Sequence, residues 1–300
     1  MSLKNFPLVS IITITYNRGD LIHRCIESIQ KQTYPNYEHI IVDGNSTDNT
    51  REVVEAYNDR HIKYIKLDTR GPQVQMEAGS KIVKGKYVTF LDDDDEYLHE
   101  KIAKQVNLFE TEPDDVGIVY CWMTYYKNDD PDTPIRIHKT ELRGFVGDIA
   151  PSYPLISGTP TMMLRREVFN EFGGAFDDSI GLLMSDWEFM ARVCQKYKVD
   201  YVPESLVRVY VDHGHKRLST NFYQDKARKS IIFHNHFLSY FANVFERNPR
   251  YAAFHYKQLC RNHAILKERK TAFHYWKSYV KLNDNYYKAI KSLCHIILGK

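Results

Sequence analysis

The chain has 300 residues and a formal net charge of +3, with 43% hydrophobic and 26% charged residues. This composition is typical of a soluble globular protein with one large α/β domain and appendages, or with two modest domains. The five cysteines form no C-x-x-C pair, which disfavours a disulfide framework and a zinc site. The start lacks the basic and apolar regions of a signal peptide, and no apolar run reaches the length of a membrane span. We therefore expect a cytoplasmic protein.

The charge is distributed unevenly along the chain. Residues 220–300 contain 15 Lys and Arg against 4 Asp and Glu, a net charge of +11, whereas residues 1–219 contain 26 against 34, a net charge of −8. Such an asymmetry indicates two parts that should be considered separately. The sequence predicts an α/β domain over 1–219 and a helical, basic and aromatic region over 220–300.

Strand and helix patterns alternate through the first half of the chain. Apolar, β-branched runs predict strands at 8–15, 37–42, 62–67, 87–91 and 117–125. Between them, helices are expected from Leu21, from about Asn49, and over 71–84 and 97–110. This alternation indicates βαβ units and a mostly parallel central sheet flanked by helices. Neither G-x-G-x-x-G after the first strand nor G-x-x-x-x-G-K-[ST] occurs, which disfavours a nicotinamide dehydrogenase and a P-loop enzyme.

The rest of the chain is less regular. Turn residues predict a polar loop over 128–134, followed by a short strand at 161–164, a helix at 166–172 and a last strand at 207–212. Helices are expected near 223–247, 251–266, 270–282 and 285–298. The last of these is basic and amphipathic, which suits an anionic membrane surface, but packing on this domain or on a second subunit is the alternative.

Four consecutive carboxylates, Asp92 to Asp95, follow the buried strand at 87–91. Ligands of open α/β sheets bind at the carboxyl ends of strands, and clustered carboxylates repel one another unless a cation lies among them. Mg²⁺ and Mn²⁺ take such oxygen ligands together with substrate phosphates. The alternatives are a helix cap and a calcium loop. The calcium loop is disfavoured because Tyr97 and Ala103 stand where Gly and Glu are required.

Three ordered motifs resemble glycosyltransferase family 2: VSIITITYNR at 9–18, IIVDGNSTDNT at 40–50 and FLDDDD at 90–95. The resemblance extends over about residues 7–215. It implies the GT-A fold, a nucleotide-sugar donor and inverting transfer of a sugar to a hydroxyl of a glycan or lipid-linked acceptor. It also implies a role in bacterial surface polysaccharide or glycolipid synthesis, at the inner face of the cytoplasmic membrane if residues 220–300 attach there.

The family motifs also suggest a nucleotide site. Asp43 can accept a hydrogen bond from a ring N–H, which uracil, thymine and guanine offer, and a UDP-sugar is favoured. Tyr16 is placed to stack on the base, an interaction that contributes about 1–3 kcal/mol in nucleic-acid systems. The alternatives are a turn residue for Asp43 and a partly buried core aromatic for Tyr16. The other expected nucleotide contacts are Thr15, Asn17, Arg18, Asp92 and Asp93.

The acidic motif of the family implies that Asp92 touches the ribose and that Asp94 holds Mn²⁺ or Mg²⁺, with a register that is ambiguous by one residue. One departure lies in the preceding helix. Glu77 occupies the position where many relatives have Asn. A carboxylate there would repel a phosphate, so Glu77 has no assigned role.

Residues 184–192, MSDWEFMAR, resemble the family's Glu-Asp-x-Asp-x-x-x-Arg, with Ser185 in place of the first Glu. The resemblance makes Asp186 the catalytic base, which takes the acceptor's proton in a single displacement. A simple helix cap is the alternative. Trp187 is either a sugar platform or a core side chain. Further sugar or acceptor contacts are expected from Gly158, Thr159 and Glu188.

Two histidines, His213 and His215, follow the last predicted strand next to Lys216 and Arg217. They suit a diphosphate or a phosphate-bearing acceptor, or else form a solvated basic loop. Two other functions remain open for the whole chain: a catalytically silent module that binds a sugar nucleotide or glycan, and a nucleotidyltransferase. No nucleic-acid partner is expected, and residues 220–300 are a candidate surface for a homo-oligomer.

Overall fold

The computed structural model describes residues 6–154, 156, 158–174, 185–214 and 223–282, without the side chains of 185, 223 and 224. These residues form two compact units. The first contains 6–146, 156, 158–174 and 192–214, and the second contains 147–154, 185–191 and 223–282. The division differs from the predicted boundary between residues 219 and 220, because two earlier segments contact the C-terminal helices.

The first unit is built on a mixed β-sheet. Its strands are β1 (Val9–Thr15), β2 (Tyr37–Asp43), β3 (Ile62–Lys66), β4 (Tyr87–Phe90), β5 (Glu96–Tyr97), β6 (Val116–Lys127), β7 (Asp130–His138), β8 (Met163–Arg165) and β9 (Lys198–Val211). In the described part of the chain the order is β3-β2-β1-β4-β8-β6-β9-β5, with β7 paired to β6. The pairs among β1 to β4 and the β6–β9 pair are parallel, whereas β8, β7 and β5 pair antiparallel.

Helices cover this sheet. They are α1 (Ile22–Gln30), α2 (Thr50–Ala56), α3 (Pro72–Ser80), α4 (Lys101–Thr111), α5 (Arg166–Glu171) and α6 (Ser185–Cys194), of which α6 begins in the second unit. The sequence predicts an apolar face of Leu21, Cys25, Ile26 and Ile29, and these side chains are buried, at most 7% exposed. Burying these side chains, at about 1.5–3 kcal/mol each, favours packing of α1 on the sheet. The predicted mostly parallel sheet with flanking helices is confirmed.

Register brings the ends of three strands to one edge of the sheet. Thr15 at the end of β1 pairs with Asp43 at the end of β2, and Ile12 pairs with Phe90 at the end of β4. All three strands are parallel, so their carboxyl ends lie on the same side. The loops that follow therefore share the edge at which open α/β sheets bind ligands.

Two predicted elements were wrong. The helix expected over 97–110 begins only at Lys101, because Glu96 and Tyr97 pair with β9 as strand β5. The polar loop expected over 128–134 is largely strand β7, which pairs with the free edge of β6. Pro131 and Pro134 are tolerated there because β7 is an edge strand. Both differences come from tertiary pairing, which local turn chemistry does not reveal.

The second unit is helical. It contains the 3-10 helix Ala150–Ser152, the start of α6, and the helices α7 (Tyr223–Tyr240), α8 (Ala242–Arg247), α9 (Ala253–Ile265) and α10 (Arg269–Leu282), with a 3-10 turn at Pro249–Ala252. Its core is aromatic and includes the buried side chains of Trp187, Phe233, Phe237 and Phe241. The helix predicted over 285–298 lies outside the described residues. Among the described residues, no helix combines the length and apolar character that crossing a membrane requires.

Candidate active site

The acidic run after β4 forms a compact group. Asp92, Asp94 and Asp95 each offer a carboxylate oxygen, and these oxygens lie within 4.8 Å of one another. Asp92 is exposed, whereas Asp94 and Asp95 are buried. Asp95 also accepts a hydrogen bond from the backbone N–H of Tyr210, at 3.0 Å. This bond connects Asp95 to β9. The ribose contact of Asp92 and the metal contact of Asp94 stay predictions.

An arginine and a histidine approach this group. Arg18 Nη1 lies 2.8 Å from Asp94 Oδ2 and 3.2 Å from Asp93 Oδ1. His213 Nε2 lies 2.8 Å from the same Oδ2 of Asp94, and the imidazole is 1% exposed. Burial raises the pKa of Asp93 to about 7, against the lowering effect of Arg18. Asp93 thus shares Arg18 with Asp94 and is not one of the three carboxylates whose oxygens cluster.

The donor set suits a hard divalent cation. Mg²⁺ and Mn²⁺ are held by carboxylate oxygens together with water and substrate phosphates. Asp92, Asp94 and Asp95 supply three such oxygens, and His213 reaches Asp94 from the end of β9. Asp94 is 8% exposed, and buried carboxylates in proteins are paired with a positive charge or coordinate a metal. A bound cation would provide that charge, so these residues fit the group that the sequence implies.

The loops after β1 and β2 are bonded to each other. The backbone N–H of Asn17 donates to Ser46 Oγ at 2.8 Å, and Asn17 Oδ1 accepts the N–H of Thr47 at 2.8 Å. Below them, Gln75 donates to the carbonyls of Thr15 and Val42 at 2.8 and 2.9 Å. Thr15 and Asn17 thus help to form a rigid rim at the end of β1, and the structure leaves their predicted nucleotide contacts as predictions.

Tyr16 is partly exposed on this rim. The guanidinium of Arg70 lies 4.1 Å from the centroid of the Tyr16 ring. A planar guanidinium and a tyrosine ring both stack on nucleobases. The sequence pointed to Tyr16 alone. Arg70 was not predicted from the sequence. Its position four residues after β3, at the same edge of the sheet, could have indicated it as a second stacking residue.

Asp43 is completely buried, and both of its oxygens accept hydrogen bonds. Oδ1 accepts the backbone N–H of Ser46 at 2.7 Å, and Oδ2 accepts the hydroxyl of Tyr64. These contacts are those expected if Asp43 is a turn residue, which is the alternative to nucleobase binding. Gly44 is required next to it, because a Cβ there would come within 2.7 Å of Gln75. A direct contact between Asp43 and a nucleobase stays a prediction.

Glu77 lies on the solvent-exposed face of α3. Its Oε1 is 2.7 Å from Lys81 Nζ, one helical turn further on. Exposed pairs of this kind contribute only about 0.3–0.5 kcal/mol. The departure at this position is therefore accommodated on the surface by an ordinary ion pair.

Gly158 and Thr159 lie at the start of a short 3-10 helix, Thr159–Thr161, that leads into β8. Gly158 has a φ of +69°, a conformation that favours glycine. Its carbonyl accepts the hydroxyl of Thr161 at 2.9 Å. The structure thus explains the glycine by backbone geometry and leaves its predicted sugar contact as a prediction.

Asp186 lies in the first turn of α6, in the second unit. Its Oδ1 accepts the backbone N–H of Trp187 at 2.9 Å, and the side chain is partly buried. Burial raises the pKa of Asp186, although backbone N–H groups act in the opposite direction. A carboxylate with a raised pKa is a better proton acceptor than an ordinary aspartate. The raised pKa of Asp186 suits a general base. Its bond to the next residue in the chain is not an N-cap bond, which would come from a backbone N–H two or three positions further on.

The two residues after Asp186 are buried. Trp187 is 1% exposed and packs among aromatic rings of the second unit, which favours the core alternative over a sugar platform. Glu188 is also 1% exposed, and its Oε1 lies 3.6 Å from His236 Nε2. In this conformation neither side chain is accessible to an acceptor sugar, so their predicted acceptor contacts have no support in the described geometry.

The described residues thus form an α/β sheet with a cluster of carboxylates at the carboxyl end of a parallel strand, and the helix α6 begins with a carboxylate whose pKa is raised. S. aureus TarS in complex with UDP-GlcNAc shares the fold, with a TM-score of 0.61 and 16% identity, over 91% of this chain and 88% of that chain. The mannosyltransferase PcManGT from Pyrobaculum calidifontis, in complex with GDP-Man and Mn²⁺, has a TM-score of 0.60 and 18% identity, over 98% and 81%. At these identities the likeness shows the fold, which is GT-A.

Sequence comparison gives the family. The profile of "Glycosyl transferase family 2" matches residues 10–173, which is more than half of the chain. The chain belongs to glycosyl transferase family 2.

Individual relatives match a shorter stretch. The Escherichia coli "UDP-Glc:alpha-D-GlcNAc-diphosphoundecaprenol beta-1,3-glucosyltransferase WfaP" is 38% identical over 120 residues, 40% of this chain and 46% of WfaP. The Bacillus subtilis "Putative teichuronic acid biosynthesis glycosyltransferase TuaG" is 39% identical over 103 residues, 33% of this chain and 41% of TuaG. The matched part thus spans less than half of either relative.

Proposed function

We propose that this chain is an inverting, metal-dependent glycosyltransferase. It moves a sugar from a nucleotide-sugar donor, with a UDP-sugar favoured, to a hydroxyl of a glycan or glycolipid in bacterial surface polysaccharide synthesis. The observation that carries the proposal is the group of Asp92, Asp94 and Asp95 at the end of β4, with ligand oxygens within 4.8 Å. The names of WfaP, with a UDP-Glc donor and a diphosphoundecaprenol-linked acceptor, and of TuaG, from teichuronic acid biosynthesis, support this class of donor and product.

The first unit binds the donor in this proposal. Asp92 contacts the ribose, and Asp94 with its acidic neighbours holds Mn²⁺ or Mg²⁺. When bound, the cation neutralises charge on the diphosphate and stabilises it as a leaving group. Tyr16, with Arg70 beside it, offers a stacking surface for the base, and Arg18 supplies positive charge beside Asp93 and Asp94. TarS binds UDP-GlcNAc and PcManGT binds GDP-Man with Mn²⁺, which supports this class of donor.

Asp186 acts as the base. The acceptor oxygen attacks the anomeric carbon on the face opposite the diphosphate, the bond from that carbon to the diphosphate oxygen breaks, and Asp186 takes the acceptor's proton. The raised pKa of Asp186 supports this role, since a proton acceptor with a pKa nearer the working pH is more effective. A silent binding module would not need such a group.

A panel of nucleotide sugars tests the proposal. UDP-glucose, UDP-N-acetylglucosamine, UDP-galactose and GDP-mannose are each added with Mn²⁺ and with EDTA, and the melting temperature is recorded. At least one sugar nucleotide should raise the melting temperature with Mn²⁺ and not with EDTA, and should release its nucleoside diphosphate. If none of the four binds under either condition, the proposal is wrong.

For residues 220–300 we propose contact with an anionic membrane surface. In the described part of this region, α10 exposes Phe273, which stacks on Trp276 at 5.4 Å and carries Lys277 4.9 Å from its ring centroid. Aromatic rings beside lysines are suited to the bilayer interface. Sedimentation with phosphatidylglycerol vesicles should capture the protein, and Phe273→Ser with Lys277→Glu should reduce the bound fraction. Equal sedimentation of both proteins would support packing or a homo-oligomer instead.

A further inference from the structure

The second unit contains a buried pair of histidines, one on α7 and one on α9. His234 is 2% exposed and His255 is completely buried. Their Nδ1 atoms lie 2.9 Å apart, and Nε2 of His255 lies 2.7 Å from the carbonyl oxygen of Pro151. No role in donor binding or proton transfer has been assigned to either ring.

The proton positions in this pair follow from its partners. The Pro151 carbonyl can only accept, so Nε2 of His255 carries a hydrogen and donates it. In a neutral ring, Nδ1 of His255 is then the acceptor, and His234 donates to it from its own Nδ1. Burial lowers the pKa of His234 to about 3 and that of His255 to about 4. Both rings are therefore neutral at physiological pH, and this single arrangement persists.

The pair is connected to α6 through an indole ring. Trp187 stacks on His255 with 5.4 Å between centroids and an interplanar angle of 16°. Trp187 Nε1 donates to the carbonyl of Ala150 at 2.7 Å, next to the Pro151 carbonyl that His255 uses. The carbonyls of Ala150 and Pro151, which are adjacent in one turn, thus accept hydrogen bonds from the stacked rings of Trp187 and His255. In the described part of the chain the indole also contacts the rings of Phe233, His234, Phe237 and Phe254.

Trp187 in turn determines where the base lies. It follows Asp186 directly, and its backbone N–H donates to Asp186 Oδ1 at 2.9 Å. If the indole is held, the first turn of α6 and the carboxylate that it bears are held as well. Misplacing a catalytic group by about 1 Å can reduce the rate by about 10²-fold.

We propose that His255 is a positioning residue for the base Asp186 and acts through Trp187. His234 fixes the orientation of the His255 ring. This inference rests on the proposed function, because it assumes that Asp186 is the base. It gives the C-terminal helices a part in catalysis that the family motifs, which end before them, do not contain.

Hydrogen–deuterium exchange tests the positioning without a substrate. His255→Phe keeps the ring stack and removes both hydrogen bonds. The backbone amides of 186–191 should exchange at least about tenfold faster in this variant, while those after β4, at 92–95, should exchange as in the wild type. Unchanged exchange at 186–191 would overturn the inference, whatever the enzyme's activity.

Turnover tests the consequence for catalysis. Hydrolysis of the nucleotide sugars of the panel, in which water takes the place of the acceptor hydroxyl and nucleoside diphosphate leaves, should show a kcat about tenfold to a hundredfold lower in His255→Phe, with KM for the donor unchanged within about twofold. His255→Gln can still donate to the Pro151 carbonyl and should recover much of the lost kcat. Equal kcat in wild type and His255→Phe, or a loss that appears in donor KM instead, would contradict the inference.

Two further variants complete the design. His263→Phe makes the same substitution on α9 at a residue that stacks on Tyr275 and pairs with Glu268, and it should leave exchange and kcat unchanged. If His255→Phe does not fold, His234→Phe replaces it, since it keeps the bond to Pro151 and removes only the donor to His255. Failure of the wild type to bind or cleave any sugar nucleotide would refute the proposed function, and the exchange data would still decide the positioning.

Discussion

His213 contacts Asp94 with its Nε2 2.8 Å from the carboxylate Oδ2, and Arg18 contacts the same oxygen at the same distance. Asp94, in the acidic run after β4, thus contacts side chains from two other parts of the first unit: Arg18 in the loop after β1 and His213 after the end of β9. This convergence makes Asp94 the most informative single position for the proposed donor site.

Asp94→Asn should abolish the dependence of UDP binding on Mn²⁺. In the wild type we expect calorimetry to show at least about tenfold tighter UDP binding with Mn²⁺ than with EDTA, since the cation links the carboxylates to the diphosphate. Asp114→Asn, at a side chain that is 96% exposed, is the control and should behave as wild type. Equal UDP affinity in EDTA and Mn²⁺ for the wild type would refute the metal site.

Asp43→Asn should reduce both stability and UDP affinity. The buried carboxylate accepts from Ser46 and Tyr64, and an amide group would place a donor against one of them, at a cost of about 1–3 kcal/mol. Tyr64→Phe should lower stability and leave UDP affinity intact. Denaturant unfolding and calorimetry measure the two quantities. If Asp43→Asn loses stability alone, Asp43 is a turn residue and the base is recognised elsewhere.

Lys101→Met should stabilise the protein at pH 7. The ammonium is completely buried, and its Nζ donates to Thr89 Oγ1 at 2.5 Å. Burial lowers the pKa of Lys101 to about 7, from about 10.4 in the unfolded chain. The unfolded state therefore binds more protons between these values, and the wild type loses stability as the pH falls from about 10 to 7.

The advantage of the Met variant should accordingly be largest at pH 7, by more than about 1 kcal/mol, and should shrink towards pH 9. Urea unfolding at several pH values measures it. Lys104→Met, on the same helix, replaces a lysine that pairs with Glu204 near the surface, and it should not stabilise the protein. A Lys101→Met variant that is less stable at pH 7 would contradict the reasoning.

The value of kcat/KM should fall on acidification, and the midpoint of this fall should lie above the pKa range of ordinary aspartates. A base must be unprotonated, and burial raises the pKa of Asp186 above its usual value of about 3.9. The acidic limb of kcat/KM should therefore lie above pH 4. Glu188→Gln, which alters the buried neighbour that faces His236, should leave this limb in place. A limb that moves with Glu188→Gln would assign the titration to Glu188.

The sequence predicted those features that depend on local pattern. The acidic run follows a buried strand, and its place at the sheet edge follows from parallel pairing, so the group of Asp92 and Asp94 was predictable. The segment β7 was not, because its turn residues are compatible with a loop and only the free edge of β6 makes it a strand. Likewise Tyr97 has no local signal for pairing with β9.

The same limit applies to site residues. His213 was noticed as a phosphate contact, but its approach to Asp94 depends on the pairing of β9 with β6, more than 100 residues from the acidic run. Trp187 could equally have been a sugar platform or a core side chain from its sequence alone. Its burial follows from contacts with α7 and α9, which lie outside the family motifs.

Turnover of Asp186→Asn, measured together with UDP affinity, tests the central claim most directly. A positioned base contributes about 10²–10⁴ in rate and acts on the acceptor, so release of nucleoside diphosphate from the donor should fall by that factor while UDP binds with Mn²⁺ as in the wild type. Asn is nearly isosteric and can still accept the N–H of Trp187, so the substitution removes the base and keeps this local hydrogen bond. Glu188→Gln should retain far more activity. An active Asp186→Asn enzyme beside an inactive Glu188→Gln enzyme would show that the base lies two residues later.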